Sequence, residues 1–153
     1  MTDEQALAER VVAGMLAKDA FSKWLGIEAL EIAPRRSTVR LRVRAEMVNG
    51  FGVSHGGVVY SLADSALAFA CNTHGRVTVA IENSISYPQP VEVGDTLTAV
   101  AEEESFTNRL GYYRVTVRNQ HAVLVAIFRG TVYRTKRDHD MAQVGNAQPR
   151  TGL

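Results

Sequence analysis

Residues 48–75, VNGFGVSHGGVVYSLADSALAFACNTHG, decide the fold. They join a glycine-rich turn to the most continuous apolar helix pattern in the chain, and that helix carries one carboxylate, Asp64. No other Asp, Glu, Lys or Arg lies between Gly56 and Gly75. An amphipathic surface helix bears several charges on its outer face, so this composition predicts a helix enclosed on most sides. Projected at about 100° per residue, Val58, Val59, Leu62, Ala66, Phe69 and Ala70 share one broad face and Asp64 falls opposite. Its neighbours there, Ser61, Ser65 and Ala68, are small, which leaves a cleft beside the carboxylate.

A carboxylate in such a cleft is either merely exposed, as Asp usually is, or a general base or nucleophile whose pKa burial raises toward a useful range. The turn before the helix offers a complement. Gly56 and Gly57 have no side chains to block approach, and the backbone N–H groups there are unpaired at the positive end of the helix dipole, where an oxyanion is stabilised. Eight residues separate Gly56 from Asp64, roughly 12 Å along a helix, so one carbonyl group cannot meet both. Joint action therefore requires Gly56 of one subunit and Asp64 of another, in a two-fold dimer with paired sites. His55 is placed to cap the helix, line the pocket, hydrogen-bond a substrate or, ranking below Asp64, act as general base, and Asn49 either orients water or the substrate carbonyl or simply builds an Asn-Gly turn. His74, His121 and His139 fall in turns or near the C-terminus and carry no expected catalytic role. No His/Asp/Glu set has metal-ligand spacing, and no serine sits in a G-x-S-x-G elbow.

Outward from this segment, residues 3–18 place Leu7, Val11, Met15 and Leu16 at helical spacing. A short turn of helix over 21–25 starts from Asp19 as N-cap and ends at Gly26. Trp24, the single tryptophan, reads as a core or rim packing residue. Strands are expected at 27–33 and 37–45 around a turn at Pro34-Arg35-Arg36. The second alternates Val39, Leu41 and Val43 with Arg40, Arg42 and Arg44, and the arginine row reads as the solvated face of a sheet. Further strands are expected at 77–87, 96–106, 112–119 and 123–133. The last is apolar on both faces over its first half, which suggests that a second subunit covers one of them. From Thr135 onward the chain turns polar and reads as a frayed tail, leaving a single domain over 1–134 and a tail over 135–153.

The 153 residues suffice for one domain with a real core, and 17 basic against 16 acidic residues give no basic block to recruit nucleic acid. Cys71 is the only cysteine, so no intrachain disulfide forms. With a charged N-terminus and no long apolar run, the expectation is a cytoplasmic protein without membrane or nucleic-acid partners.

Asn49-Gly50, then His55-Gly56-Gly57, Ser61-Leu62-Ala63-Asp64 and Ala70-Cys71-Asn72 closely resemble the hotdog-fold acyl-CoA thioesterases of the PaaI type, the phenylacetate-degradation group. The likeness runs from about Phe21-Ser22-Lys23-Trp24-Leu25-Gly26 through Pro90, Gly94-Asp95-Thr96-Leu97 and Phe128-Arg129-Gly130. It implies an α+β hotdog fold: an antiparallel sheet of about six strands wrapped around one long helix, here with an extra N-terminal helix. It also implies dimers joined into a continuous sheet, usually paired as homotetramers, and hydrolysis of an acyl-CoA thioester with an aryl or short to medium acyl group. By the same resemblance Asp64 is the catalytic acid, Gly56 the amide that polarises the thioester carbonyl, and His55 and Asn49 the polar groups beside it. Ser65 stands in for a hydroxyl that some relatives carry one turn later. Gly57, Arg109, Arg134 and Lys136 are the substrate and coenzyme A candidates, and no cofactor is expected, coenzyme A being part of the substrate. The alternatives are a non-catalytic acyl-CoA-binding hotdog protein and a hotdog dehydratase or hydratase, which needs a His and an acid set differently.

Overall fold

The computed structural model describes residues 2–142. Helix α1 spans Asp3–Lys18, α2 Ala20–Leu25 and α3 Gly56–Asn72; the strands are β1 Glu28–Ala33, β2 Arg36–Arg42, β3 Arg76–Ser86, β4 Thr96–Phe106, β5 Leu110–Arg118 and β6 Leu124–Asp138. Thr2 caps α1 by accepting from the Gln5 amide, and Asp19 caps α2 by accepting from Ser22 at 2.9 Å. Gly26 ends α2 in the left-handed region, at φ 81°, where the lack of a Cβ removes the steric cost.

The strands form one antiparallel sheet in the order β1-β2-β4-β5-β6-β3. Its inner face curls around α3. Val39, Leu41, Leu97, Ala99, Val115, Phe128 and Val132 from the sheet join Leu62, Ala63, Ala66, Leu67 and Phe69 of the helix in one buried cluster. Helix α1 contributes Val12 to the same cluster, with Met15 and Leu16 packed against it. Cys71 sits in this cluster, and burial pushes its thiol up to about 12, which leaves it an inert apolar filler.

On the outer face, Arg40 pairs with Glu28 and Arg36 with Glu102 across neighbouring strands, all well exposed. The alternation of β2 is therefore a solvated face over a buried one, as its sequence predicts. Trp24 departs from expectation: it is 68 % exposed, stacked only against Phe21 at a centroid distance of 6.0 Å. Helix α2 is too short to bury more than one side, and Leu25 takes the inward position.

The polar C-terminal stretch also differs from its reading as a tail from Thr135. Strand β6 continues to Asp138, because pairing with β3 needs backbone groups rather than apolar side chains. The Thr135 hydroxyl donates to Val77 O at 2.7 Å, Arg76 pairs with Asp138 at 3.0 Å, and His139 N–H reaches Gly75 O at 2.9 Å. The rest of the expected tail, 143–153, lies outside the described residues. Strand β3 is an edge of the sheet, and it exposes Val79 and Ile81, the latter at 58 %.

Since α3 is held by apolar contact rather than by surface charge, Phe69→Ala is expected to lower the unfolding free energy by about 3–5 kcal/mol. Arg40→Ala, which removes one exposed ion pair, changes it by less than about 1 kcal/mol. Urea titration compares the two, and effects of equal size would place the stability elsewhere.

Candidate active site

The turn between Met47 and α3 is built by its own short bonds. Asn49 N–H donates to Val53 O, Gly52 takes φ 81° at the tip, and the Asn49 side-chain oxygen accepts from Phe51 N at 2.9 Å. Asn49 is thus a turn builder whose carbonyl oxygen is occupied, and Phe51 projects beyond it, 93 % exposed. His55 N–H is fixed by Met47 O, and its ring caps the helix: Nδ1 accepts from the Gly57 amide at 2.8 Å. That leaves the Gly56 N–H, which has no acceptor among the described residues, at the positive end of a 17-residue helix.

Both glycines are needed for space. A Cβ on Gly56 would stand 3.2 Å from the Tyr87 hydroxyl, and one on Gly57 would stand 2.9 Å from His55 Nδ1. The Tyr87 hydroxyl donates to Gly56 O at 2.9 Å and so closes one side of the turn. Beside it lies a cavity of about 280 Å³ walled by Phe21, Trp24, Met47, Val48, His55 and Val58.

Asp64 is half-buried on the other side of α3, in the wall of a cavity of about 340 Å³ that also meets Met15, Ala68, Thr78, Val79 and His139. Loss of solvent raises its carboxyl above the ordinary aspartate range, opposed by a hydrogen bond from Asn83 Nδ2 to Oδ1 at 3.0 Å. The remaining amide proton of Asn83 goes to the Tyr60 hydroxyl at 3.1 Å. Tyr60 is steadied in turn by edge contact with Phe128, centroids 5.4 Å apart. At 1.5 Å per residue, Gly56 and Asp64 of one chain stand roughly 12 Å apart along the helix.

The other candidates fall elsewhere. The Ser65 hydroxyl meets Ser22 Oγ at 3.0 Å, which is bonded to Asp19 at 2.6 Å, so Ser65 ties α2 to α3. Arg109 and Arg134 are neighbours through Arg134 N–H to Arg109 O at 2.8 Å. Arg109 donates to the Tyr133 hydroxyl at 3.0 Å, while Arg134 lies 3.7 Å over the Phe106 ring in a cavity of about 400 Å³ with Thr73 and His74 at the far end of α3. Lys136 is exposed, and its carbonyl accepts from Arg76. His74 is held neutral by burial and then by Arg134, its pKa lowered to about 4. His139 meets Asn72 Oδ1 at 2.7 Å.

Three residues at the site escape the sequence reading: Asn83, Tyr60 and Tyr87. Tyr60 and Tyr87 carried no pattern that separates them from packing aromatics. Asn83 stands within a predicted strand, and its polarity at an inward position becomes visible only once the register of β3 is known.

The sequence pattern of the Thioesterase superfamily matches residues 51–126, from the tip of the turn into β6. The acyl-coenzyme A thioesterase PaaI of Escherichia coli is 39 % identical over 120 residues, which are 78 % of this chain and 86 % of that protein. The solved structure of the E. coli PaaI protein from the phenylacetic acid degradation operon superposes with a TM-score of 0.86 at 36 % identity, over 88 % of this chain and 97 % of that one. The TT0310 protein of Thermus thermophilus superposes with a TM-score of 0.74 at 41 % identity, over 77 % and 99 %. By sequence and by fold alike, the chain belongs to the thioesterase superfamily, as a hotdog-fold thioester hydrolase of the PaaI type.

Proposed function

We propose that the protein hydrolyses acyl-CoA thioesters at two composite sites in a homodimer, each made of the Gly56 amide of one subunit and Asp64 of the other. The carrying observation is the separation of a Gly56 N–H, without an acceptor among the described residues, from a half-buried Asp64 by roughly 12 Å of the same helix. The open edge of β3, with Val79 and Ile81 exposed along it, supports two-fold pairing of β3 with its copy. Two such dimers would form the homotetramer usual in this group.

In the reaction the thioester oxygen approaches the Gly56 N–H, which carries no competing bond, and the dipole of α3 stabilises the charge that grows there. Asp64 of the other subunit either takes a proton from the attacking water or attacks the carbonyl carbon itself to give an anhydride that water then opens. Both routes release the free acid and the coenzyme A thiol, and both need Asp64 ionised. Water is the only co-reactant, coenzyme A arriving as part of the substrate. The apolar cavity beside His55, with Phe21 and Trp24 in its wall, suits an aryl or short to medium acyl group. Arg109, Arg134 and Lys136 serve as the cationic candidates for coenzyme A phosphates, and a cytoplasmic setting fits a chain with one buried thiol.

Asp64→Asn is expected to reduce thiol release from acyl-CoA by about 10²–10⁴-fold. In the parent, kcat/KM falls as pH drops through a carboxyl pKa lying above the ordinary aspartate range, because the ionised form is the active one and burial disfavours it. The same sign governs stability. A carboxyl raised in the folded state penalises folding at pH values above its folded pKa, so Asp64→Asn should melt no lower than the parent at neutral pH. A pH–rate profile and a thermal melt read both outcomes, and undiminished hydrolysis by this variant would reject the assignment.

Gly56→Pro deletes the N–H while suiting the first helical position, where His55 already has ψ 134°. It should cost about 10²–10³-fold in kcat, whereas Gly56→Ala keeps the donor and separates crowding against Tyr87 from loss of the hydrogen bond. Refolding Gly56→Pro together with Asp64→Asn should restore about a quarter of the parent rate, since half of the dimers then hold one intact composite site. No recovery in mixtures shown by native mass spectrometry to contain the mixed dimer would refute shared sites.

Trp24→Ala is expected to raise KM for aryl-acyl-CoA several-fold and to leave acetyl-CoA nearly unchanged. A panel of aryl, short and long acyl-CoA esters decides this, and a uniform change across the panel would remove Trp24 from the acyl pocket.

A further inference from the structure

Strand β3 presents Thr78, Ala80, Asn83 and Ile85 to the helix, opposite Arg134, Val132, Gly130 and Phe128 of β6. The step from Ala80 to Asn83 breaks the period of two, and a register shift between Ala80 and Glu82 accounts for it. Without this bulge, continued alternation would turn Glu82 toward α3 and set a second carboxylate facing Asp64. With it, Glu82 is exposed and Asn83 faces in.

The orientation of the Asn83 amide follows from its neighbours. An ionised carboxylate accepts only, so the amide nitrogen must face Asp64, and its two protons reach Asp64 Oδ1 and the Tyr60 hydroxyl. Asn83 Oδ1 is then turned toward Gly130, buried and without a donor among the described residues. A Cβ at Gly130 would stand 3.0 Å from that oxygen and would overlap Leu67 Cδ2. Gly130, part of the Phe128-Arg129-Gly130 stretch, is thus the space into which Asn83 fits.

We infer that Asn83 is the positioning residue of Asp64, aimed by the bulge in β3 and accommodated by Gly130, and that it holds the carboxylate ionised and in one rotamer for the reaction. The inference rests on the catalytic role proposed for Asp64. Asn83 touches no reacting atom; it acts through the carboxylate. Among the described residues no other hydrogen bond reaches the Asp64 carboxylate. On α3 itself, Tyr60 accepts from Asn83 and the Cys71 thiol is neutral; α1 brings Met15; β3 brings Val77, Thr78, Val79 and Ala80. From the end of β6 comes His139, whose protonation is disfavoured by burial and by Arg137 and Lys18. The Asn83 bond is what opposes the effect of burial on Asp64.

The test compares Asn83→Leu, similar in shape with no donor, and Asn83→Asp, similar in shape with a like charge. For each variant, thiol release is followed against pH, and the Asp64 carboxyl carbon, assigned by its absence in Asp64→Asn, is titrated by ¹³C NMR without substrate. Asn83→Leu should lose about tenfold or more in kcat/KM near neutral pH, with the acid limb and the Asp64 carbon titration both moved to higher pH. Asn83→Asp should move both in the same direction, and it serves alone if the leucine variant fails to fold. A loss of rate with the acid limb and carbon titration unmoved would make Asn83 a packing residue and overturn the inference. Full hydrolysis by Asp64→Asn would instead overturn the role of the carboxylate, and with it the catalytic meaning of Asn83, while the carbon titration still reported on their bond.

Discussion

Burial of α3 against the curled inner face of the sheet is the interaction on which the rest of the molecule depends. Leu62, Leu67 and Phe69 are almost fully buried, and each such side chain contributes about 1.5–3 kcal/mol relative to exposure. The apolar face is broad, so the helix has little freedom to turn about its axis. Turning it by one residue would drive Asp64 toward the core, where a carboxylate without sufficient hydrogen bonds is strongly disfavoured. Hydrophobic packing therefore sets the direction of the one charged side chain and the position of the glycine end.

The helix then works as a ruler. Its N-terminus favours negative charge, and the Gly56 amide has no acceptor among the described residues because the His55 ring accepts from Gly57 instead. Its middle bears a carboxylate in a partly dry wall. A shorter spacing would pair the two within one chain and quench both: an ionised Asp at the helix start would accept from the free amide itself, as a cap does. Separation along the helix keeps the donor unoccupied and the base unneutralised. In the composite arrangement the two meet only across subunits.

Much of this was legible in the sequence. The scarcity of charge between Gly56 and Gly75 exposed the enclosed helix, and Asp64 stood out as its exception. The caps Asp19 and Gly26 and the alternation of Val39, Leu41 and Val43 marked local structure with a direct physical cause. What was hidden depended on register. The expected strand over 77–87 carries no mark of which side faces the helix: Val79 and Ile81 lie outward at a free edge, and the bulge after Ala80 changes which later residues face inward. No local pattern announces such a bulge, so Asn83 could not be assigned to Asp64. The polar run after Thr135 misled for a related reason, since strand pairing uses backbone groups that composition does not reveal. Ser65, adjacent to Asp64 in sequence, turns its hydroxyl toward Ser22 instead, since adjacent helix residues diverge by about 100°.

Arg134 shows how local packing constrains a functional reading. It lies in the cavity wall at the C-terminal end of α3, where the negative end of the helix dipole favours a cation, and its guanidinium covers the face of Phe106. These two attractions stabilise a positive charge at this position. They also explain His74, which remains neutral because Arg134 already supplies the charge and burial removes the solvent a second cation would need. Arg109, whose backbone is tied to Arg134, has a side chain held among the described residues only by the Tyr133 hydroxyl, which leaves it more freedom to turn. Lys136, exposed on the same strand as Arg134, shares that freedom. Of the three cations, Arg134 is the one whose charge the helix end and the Phe106 ring stabilise, while its buried Nε has no hydrogen-bond partner among the described residues.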